Sequence, residues 1–300
     1  MRLLKKIMFF QKIFILALIS SYANAGNVDN NEGLINSYAI SAQQGDVKAQ
    51  SKLAFLYYKN SNYEKAKKWA LIASNNNDSH SQFLLGMMYN HAQGVTLNHE
   101  KGVELYQKAA DNGSDDAQNI IANFYLYGSE EYGYHKNFTK GISYLKKSAK
   151  QDNSDSQYLL YKIYITGDYG QKINEKKALK WQILAAKNGN SDAQNNMGDM
   201  YFSGINVPVN YSLAAKWYYK SAIQENNYAI RKLAYLYREG KGVKQSYIYS
   251  YMWYKIGGYI VEDIKNKLSS EQIKRADNLV QQCYDTDYKN CCENLLNDEK

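Results

Sequence analysis

One pattern of residue types returns six times along the chain. Gln50, Gln82, Gln118, Gln157, Gln194 and Ile230 mark a register that recurs every 32 to 39 residues. Seven residues after each stands a tyrosine: Tyr57, Tyr89, Tyr125, Tyr164, Tyr201 and Tyr237. Four residues after each stands Ala54, Gly86, Ala122, Tyr161, Gly198 or Ala234, small in five cases of six. A second register follows at Trp69, Leu105, Tyr144, Trp181, Trp217 and Trp253, and it holds all 4 tryptophans. Three residues before it come Ala66, Gly102, Gly141, Ala178, Ala214 and Ser250. Four and five residues after it come Ala73/Ser74, Ala109/Ala110, Ser148/Ala149, Ala185/Ala186, Ser221/Ala222 and Gly257/Gly258. Self-similarity at such a period marks a repeat array, whose units bury their apolar faces only by stacking.

Offsets of three, four and seven place these residues on one face of a helix. Large aromatics are expected as knobs, and the small residues let a neighbouring helix approach to receive them. Between the two registers lies a glycine turn, at Gly94-Val95, Gly128, Gly167, Gly204 and Gly240-Lys241-Gly242-Val243, supplying the left-handed backbone that ends a helix. A single proline, Pro208, in 300 residues suits long runs of helix. The expected fold is all-α, built from about six helix-turn-helix units. The first unit has Asn60 where the glycine would be. The third has a long turn, Gly128 to Phe138, and the fourth has Tyr161 in a small-residue slot and a turn through Asp168-Tyr169-Gly170.

These motifs resemble the SEL-one-like repeat (SLR), a relative of the tetratricopeptide repeat. The unit Asp192-Ala193-Gln194, Met197-Gly198, Tyr201, Gly204, Ala214, Trp217-Tyr218 and Ser221-Ala222 carries the resemblance. Gly86, Tyr89, Gly94-Val95, Tyr106 and Ala109-Ala110 repeat it. The resemblance implies a right-handed α-solenoid with terminal capping helices. The expected organisation is a leader over 1–25, an N-terminal half-repeat or cap over 26–45, repeats over 46–262, and a capping helix with a cysteine-containing tail over 263–300. The last helix is predicted to start at Ser269 or Ser270, an N-cap serine, and to run to about Cys283.

The leader reads as a secretory signal peptide. Arg2, Lys5, Lys6 and Lys12 precede a short apolar run from Ile13 to Ile19, and Ala23-Asn24-Ala25 is a small-x-small cleavage site. Cleavage is expected after Ala25, and the run is too short to span a bilayer comfortably, so no stable membrane insertion is expected after cleavage. The expected location is periplasmic or secreted. Removing the four leader cations lowers the net charge from +8 to about +4, a weak excess that gives nucleic acid no footprint. An oxidising compartment suits a disulfide among the 3 cysteines. Cys283 could pair with Cys291 or Cys292; spacing does not choose. Some exported SLR proteins end in a Cys-x7-Cys segment like Cys283 to Cys291, and on that resemblance Cys283 and Cys291 are the disulfide candidates.

Signals of chemistry are weak. His80, His91, His99 and His135 are the only histidines, and neither a catalytic constellation, a metal set nor a cofactor motif is expected. Ser143-Tyr144-Leu145-Lys146 formally matches the Ser-x-x-Lys of penicillin-recognising enzymes, but their Ser-Asp-Asn and Lys-Thr-Gly companions are missing. Some cysteine-rich SLR proteins are associated with β-lactam chemistry; their cysteine pair in every repeat is lacking here. The expected function is therefore a scaffold or adaptor that binds a protein partner through the concave face lined by the first helix of each unit. Phe83, Asn119, Asn123, Tyr158, Lys162, Asn195, Asp199, Arg231 and Tyr235 are the residues expected on that face. Surplus tyrosines outside the repeat slots, among them Tyr132, Tyr134 and Tyr169, are candidates for the same use. Alternatives are an immunity protein that neutralises a periplasm-targeted effector, a secreted factor that engages host proteins or, more remotely, a β-lactamase-like SLR.

Overall fold

A computed structural model describes residues 28–288 and Cys291. The expected leader, 1–25, and Cys292 lie outside the described residues. Among the described residues there are fifteen α-helices and no strand. In chain order they are α1 (Val28–Gln43), α2 (Val47–Lys59), α3 (Tyr63–Asn75), α4 (Ser79–His91), α5 (His99–Asp111), α6 (Asp115–Tyr127), α7 (Phe138–Lys150), α8 (Ser154–Thr166), α9 (Glu175–Lys187), α10 (Ser191–Ser203), α11 (Tyr211–Ala222), α12 (Asn227–Glu239), α13 (Tyr247–Ile256), α14 (Glu262–Lys265) and α15 (Ser270–Asp285). The chain forms two compact units, one ending at Ile121 and the other beginning at Ala122. Within each, a helix packs chiefly on its neighbours in sequence, as in an all-α solenoid.

Capping residues set the helix boundaries. Asparagine caps the N-termini of α3, α5, α7, α8, α9, α10, α11 and α12, its side chain accepting a backbone N–H of the first turn. Asp46 and Asp78 do the same for α2 and α4. Left-handed glycines close α8, α10 and α12, at Gly167, Gly204 and Gly240. Helix α4 differs from the expected glycine stop. Its left-handed residue is Ala92, and Gly94 lies two residues further on, where a Cβ would come within 2.7 Å of the Tyr63 side chain.

The glutamine register joins consecutive second helices. Gln50, Gln82, Gln118, Gln157 and Gln194 each donate Nε2 to a carbonyl at the C-terminus of the preceding helix: Ala42, Ser74, Ala110, Ala149 and Ala186. Such carbonyls have no intrahelical donor, so the amide satisfies a buried acceptor. The same amides accept from the end of the following second helix: Asn112 Nδ2 to Gln82 (2.9 Å), Asn188 Nδ2 to Gln157 (3.0 Å) and Gln224 Nε2 to Gln194 (2.8 Å). In the first repeat Asn76 turns to its own Ile72 carbonyl, which leaves Gln50 Oε1 without a donor. In the sixth, Ile230 fills the slot, and a Cβ on Gly257 would lie 3.0 Å from it.

The aromatic slot behaves differently from the expectation that its members are the central knobs. Trp253 is fully buried, but Trp69, Trp181, Trp217 and Tyr144 are half-buried. In four repeats the residue after the slot is the deeper one: Ala70, Leu145, Gln182 and Tyr218 are buried, while Leu105 and Tyr106 are buried alike. At Tyr106 and Tyr218 that position faces the first helix of its own repeat, whereas Gln182 donates Nε2 to the Ala193 carbonyl of the next repeat's first helix at 2.7 Å. The rings of Tyr106 and Tyr218 lie on Gly86 and Gly198, where an added Cβ would meet them at 2.7 Å and 2.5 Å. The tryptophans meet two helices at once: Trp69 packs against the cluster of Ala42, Ala49 and Leu53, and Trp217 against that of Ala185, Ala186, Ala193 and Met197, each cluster joining the preceding second helix to the first helix of the same repeat.

Both ends of the described chain add helix to the repeats. Helix α1 packs on α2 through Ala42. Helix α15 begins with a Ser269–Gln272 capping box and covers α13. Cys283 and Cys291 form a disulfide that folds Tyr288 into the same buried cluster as Trp253, Ala276 and Val280.

Candidate interaction surface

The first helices of the repeats in the second unit, α8, α10 and α12, carry six of the predicted site residues in the slots one and five after the glutamine register. Tyr158, Asn195, Asp199 and Tyr235 are half-buried, and Lys162 and Arg231 are exposed. Asn123, on α6, is half-buried as well. In the first unit the expectation fails. Phe83 is 4% exposed and its ring sits 5.3 Å from that of Tyr106, because an apolar ring beside a knob is better buried than wetted. Asn119 is 3% exposed, within a run of α6 whose neighbours Ala117, Gln118 and Ile121 are buried too. Neither residue presents a surface to a partner. Tyr134 is also buried, against Phe124 and Tyr125.

Two ladders hold the surface of the second unit. The N-cap of each first helix reaches back to the preceding one: Asn190 Nδ2 donates to Asp155 (2.7 Å) and Asn226 Nδ2 to Asp192 (3.0 Å). Burial pushes the Asp155 carboxyl above the usual carboxylate range, and the Asn190 bond opposes that. The second ladder centres on Asp199. It accepts from Tyr218 Oη (2.7 Å) and Asn195 Nδ2 (3.3 Å), and Lys232 Nζ stands 3.6 Å away. Burial raises the Tyr218 phenol, and the Asp199 carboxylate raises it further. Burial also pushes Tyr158 up to about 12.

Cations lie over rings throughout this surface. Lys162 Nζ is 5.0 Å from the Tyr158 centroid, and the Arg231 guanidinium is 5.9 Å from that of Tyr228. Lys241 is enclosed by three rings, Tyr235 at 5.4 Å, Tyr211 at 5.6 Å and Phe202 at 5.9 Å, and donates to Tyr235 Oη at 3.2 Å. That bond holds the ammonium above the ordinary lysine value. Sequence reasoning missed Lys232, Lys241, Phe202 and Tyr211. The available signal was the turn Gly240-Lys241-Gly242, which corresponds to Ala92-Gln93-Gly94 in the first unit. There Gln93 meets Tyr58 (2.7 Å) and Tyr63 (3.4 Å) in the same way. In both places the turn of one repeat lies on the start of the preceding repeat's second helix, and Gly242 leaves no room for a Cβ against the Tyr211 carbonyl carbon.

Elsewhere the chemistry is plain. Ser143 is exposed on α7 beside half-buried Tyr144. His99 Nδ1 lies 3.1 Å from Asn90 Oδ1, and burial, then His99, lowers His91 below the ordinary histidine value. Among the described residues no group of three metal-ligating side chains occurs, and no helix is long and apolar enough to cross a membrane.

The Sel1 repeat model matches residues 47–78, 79–114, 115–153, 154–190, 191–226 and 227–257. An uncharacterised Neisseria meningitidis protein is 29% identical over 182 residues, covering 61% of this chain; the match spans only 37% of that protein's length. The Sel1-repeat-containing protein YjcO of Escherichia coli K12 is 28% identical over 172 residues, 56% of this chain and 72% of that protein. Among solved structures, a Sel1 repeat protein from Oxalobacter formigenes aligns with a TM-score of 0.55 at 26% identity, covering 70% of this chain and 82% of its own. The uropathogenic Escherichia coli protective antigen c5321, which has an SLR fold, aligns with a TM-score of 0.51 at 23% identity over 89% of this chain and 67% of its own. The chain belongs to the Sel1 repeat family, a generally non-enzymatic scaffold fold whose repeats mediate protein interactions.

Proposed function

We propose that the protein is an exported scaffold that binds a protein partner through the first helices of its second unit. The carrying observation is the row of tyrosines and cations on α8, on α12 and in the turn after α12, with Asn195 and Asp199 of α10 between them, held by rings or hydrogen bonds. Side chains ordered before binding lose little entropy on contact, and tyrosine gives a large amphipathic area for two rotatable bonds. Export rests on the leader pattern over 1–25 and on the Cys283–Cys291 disulfide, a bond favoured in an oxidising compartment.

The test is affinity capture from the organism's own envelope with the disulfide-intact protein, wild type beside Tyr235→Ala. A partner retained by the wild type and lost by the variant, at an unchanged melting temperature, is the expected result. Equal capture by both proteins would remove the surface from consideration.

A further inference from the structure

We propose that the partner lays an acidic, extended segment across the second unit, its carboxylates meeting Lys162, Arg231 and Lys241. This deepens the protein-binding reading above and rests on it.

Lys232 faces Asp199, Arg238 faces Asp263 at 3.1 Å, and Lys255 faces Asp277 at 2.7 Å. Lys162, Arg231 and Lys241 at the first-helix surface are not so paired, and in this they resemble Lys177 and Lys220 of the second helices. Among the described residues none of the three forms an ion pair; each lies over aromatic rings instead. A ring orients a cation without occupying its N–H donors. Lys241 gives one bond to Tyr235 Oη and keeps the rest.

The acids of the same surface are already engaged. Asp155 accepts from Asn190 and Asp192 from Asn226, while Asp199 takes Tyr218, Asn195 and Lys232. The carboxylate oxygens thus already have donors on this surface, while N–H donors of the three cations stay open, and the complementary ligand carries carboxylates. The three cations stand on α8, on α12 and in the turn after α12, so a segment that reaches all three crosses successive repeats, as an extended chain does. Tyr158 and Tyr228 beside them give its apolar atoms a ring to pack on.

The experiment is fluorescence anisotropy of a labelled twelve-residue peptide of alternating Glu and Ser. A Gln/Ser peptide and a single-stranded DNA oligomer of equal length serve as comparators. The test variant is Lys162→Gln/Arg231→Gln/Lys241→Gln. Glutamine is chosen because Gln93 fills the turn position in the first unit that Lys241 fills in the second. The control, Lys176→Gln/Lys180→Gln/Lys216→Gln, removes three exposed second-helix cations, the same charge, without touching the site. The triple variant should bind the Glu peptide roughly tenfold more weakly, the size expected of three exposed ion pairs. Its melting temperature should hold, the control should bind normally, and added salt should weaken the wild type.

Equal binding of the Glu and Gln peptides, an equal loss in the control, or preference for DNA would overturn the inference. Should that happen while Tyr235→Ala still abolishes capture of a natural partner, the acidic segment is wrong and the scaffold reading stands. Equal capture by wild type and Tyr235→Ala is what removes the scaffold reading itself.

Discussion

Replacing Gln157 by leucine tests the reason for the glutamine register. The side chain is fully buried, donates to the Ala149 carbonyl at 2.9 Å and to Asp152 Oδ1 at 3.4 Å, and accepts from Asn188 at 3.0 Å. Leucine fills a similar volume and removes all three bonds. The Ala149 carbonyl then lies buried at a helix end with no donor, and Asn188 keeps only its bond to Asp152. Two close hydrogen bonds, a longer third and one stranded acceptor cost about 2–4 kcal/mol, reduced by about 1 kcal/mol for the added apolar burial, hence about 2 kcal/mol net. Gln50→Leu is the internal comparison. Gln50 makes its bond to Ala42 but its Oε1 has no donor, so its loss should cost about 1 kcal/mol. Urea denaturation followed by far-UV circular dichroism reads both. If Gln157→Leu is neutral, or no worse than Gln50→Leu, the register does not work by bridging helix ends. Ile230 shows that the slot accepts an aliphatic side chain where Gly257, rather than an amide, follows.

Other consequences are as direct. Gly198→Ala places a methyl 2.5 Å from the Tyr218 ring and should destabilise by about 1–3 kcal/mol, whereas Gly113→Ala meets no steric contact and is strained only by its positive φ; thermal melts of the two variants separate overpacking from backbone strain. The raised Asp155 carboxyl favours the protonated folded state. Stability of the second unit should therefore fall as pH rises from the ordinary carboxylate value through the raised one, and Asp155→Asn should flatten that slope in melts run across the window. Cys283→Ser/Cys291→Ser should release Tyr288 from the α13–α15 cluster and cost about 2–3 kcal/mol; limited proteolysis would show early cleavage of the tail, and an unchanged digest would contradict the packing described for it.

The repeat architecture was legible because its signal is local. Small and aromatic residues at offsets of three, four and seven declare a helix face whatever lies beside it. The glutamines were visible as a register, but their work was not, since it depends on carbonyls at the ends of two other helices. The tryptophan slot was misjudged by one residue in four of the six repeats, Trp253 and Leu105 being buried as expected. Periodicity shows that a face is buried, not which of two adjacent positions points at the partner helix, and Tyr218 and Trp217 divide that role. Eight of the 31 asparagines are helix N-caps, a role that shows only once the helix starts are known. Phe83 and Asn119 share a register with Tyr158 and Arg231, yet they are buried; exposure within one register depends on neighbouring helices. The rings around Lys241 come from three separate elements, and only the resemblance of its turn to Gln93-Gly94 hinted at them.

Site-specific photocrosslinking in living cells tests the central claim most directly. A photoreactive phenylalanine analogue replaces Tyr235 on the first-helix surface or, as a control, Lys180 or Lys216 on second helices. A discrete adduct from position 235 and none from the controls is the predicted result. Adducts of equal yield from all three positions, or none from position 235, would contradict a docking surface on the first helices of the second unit.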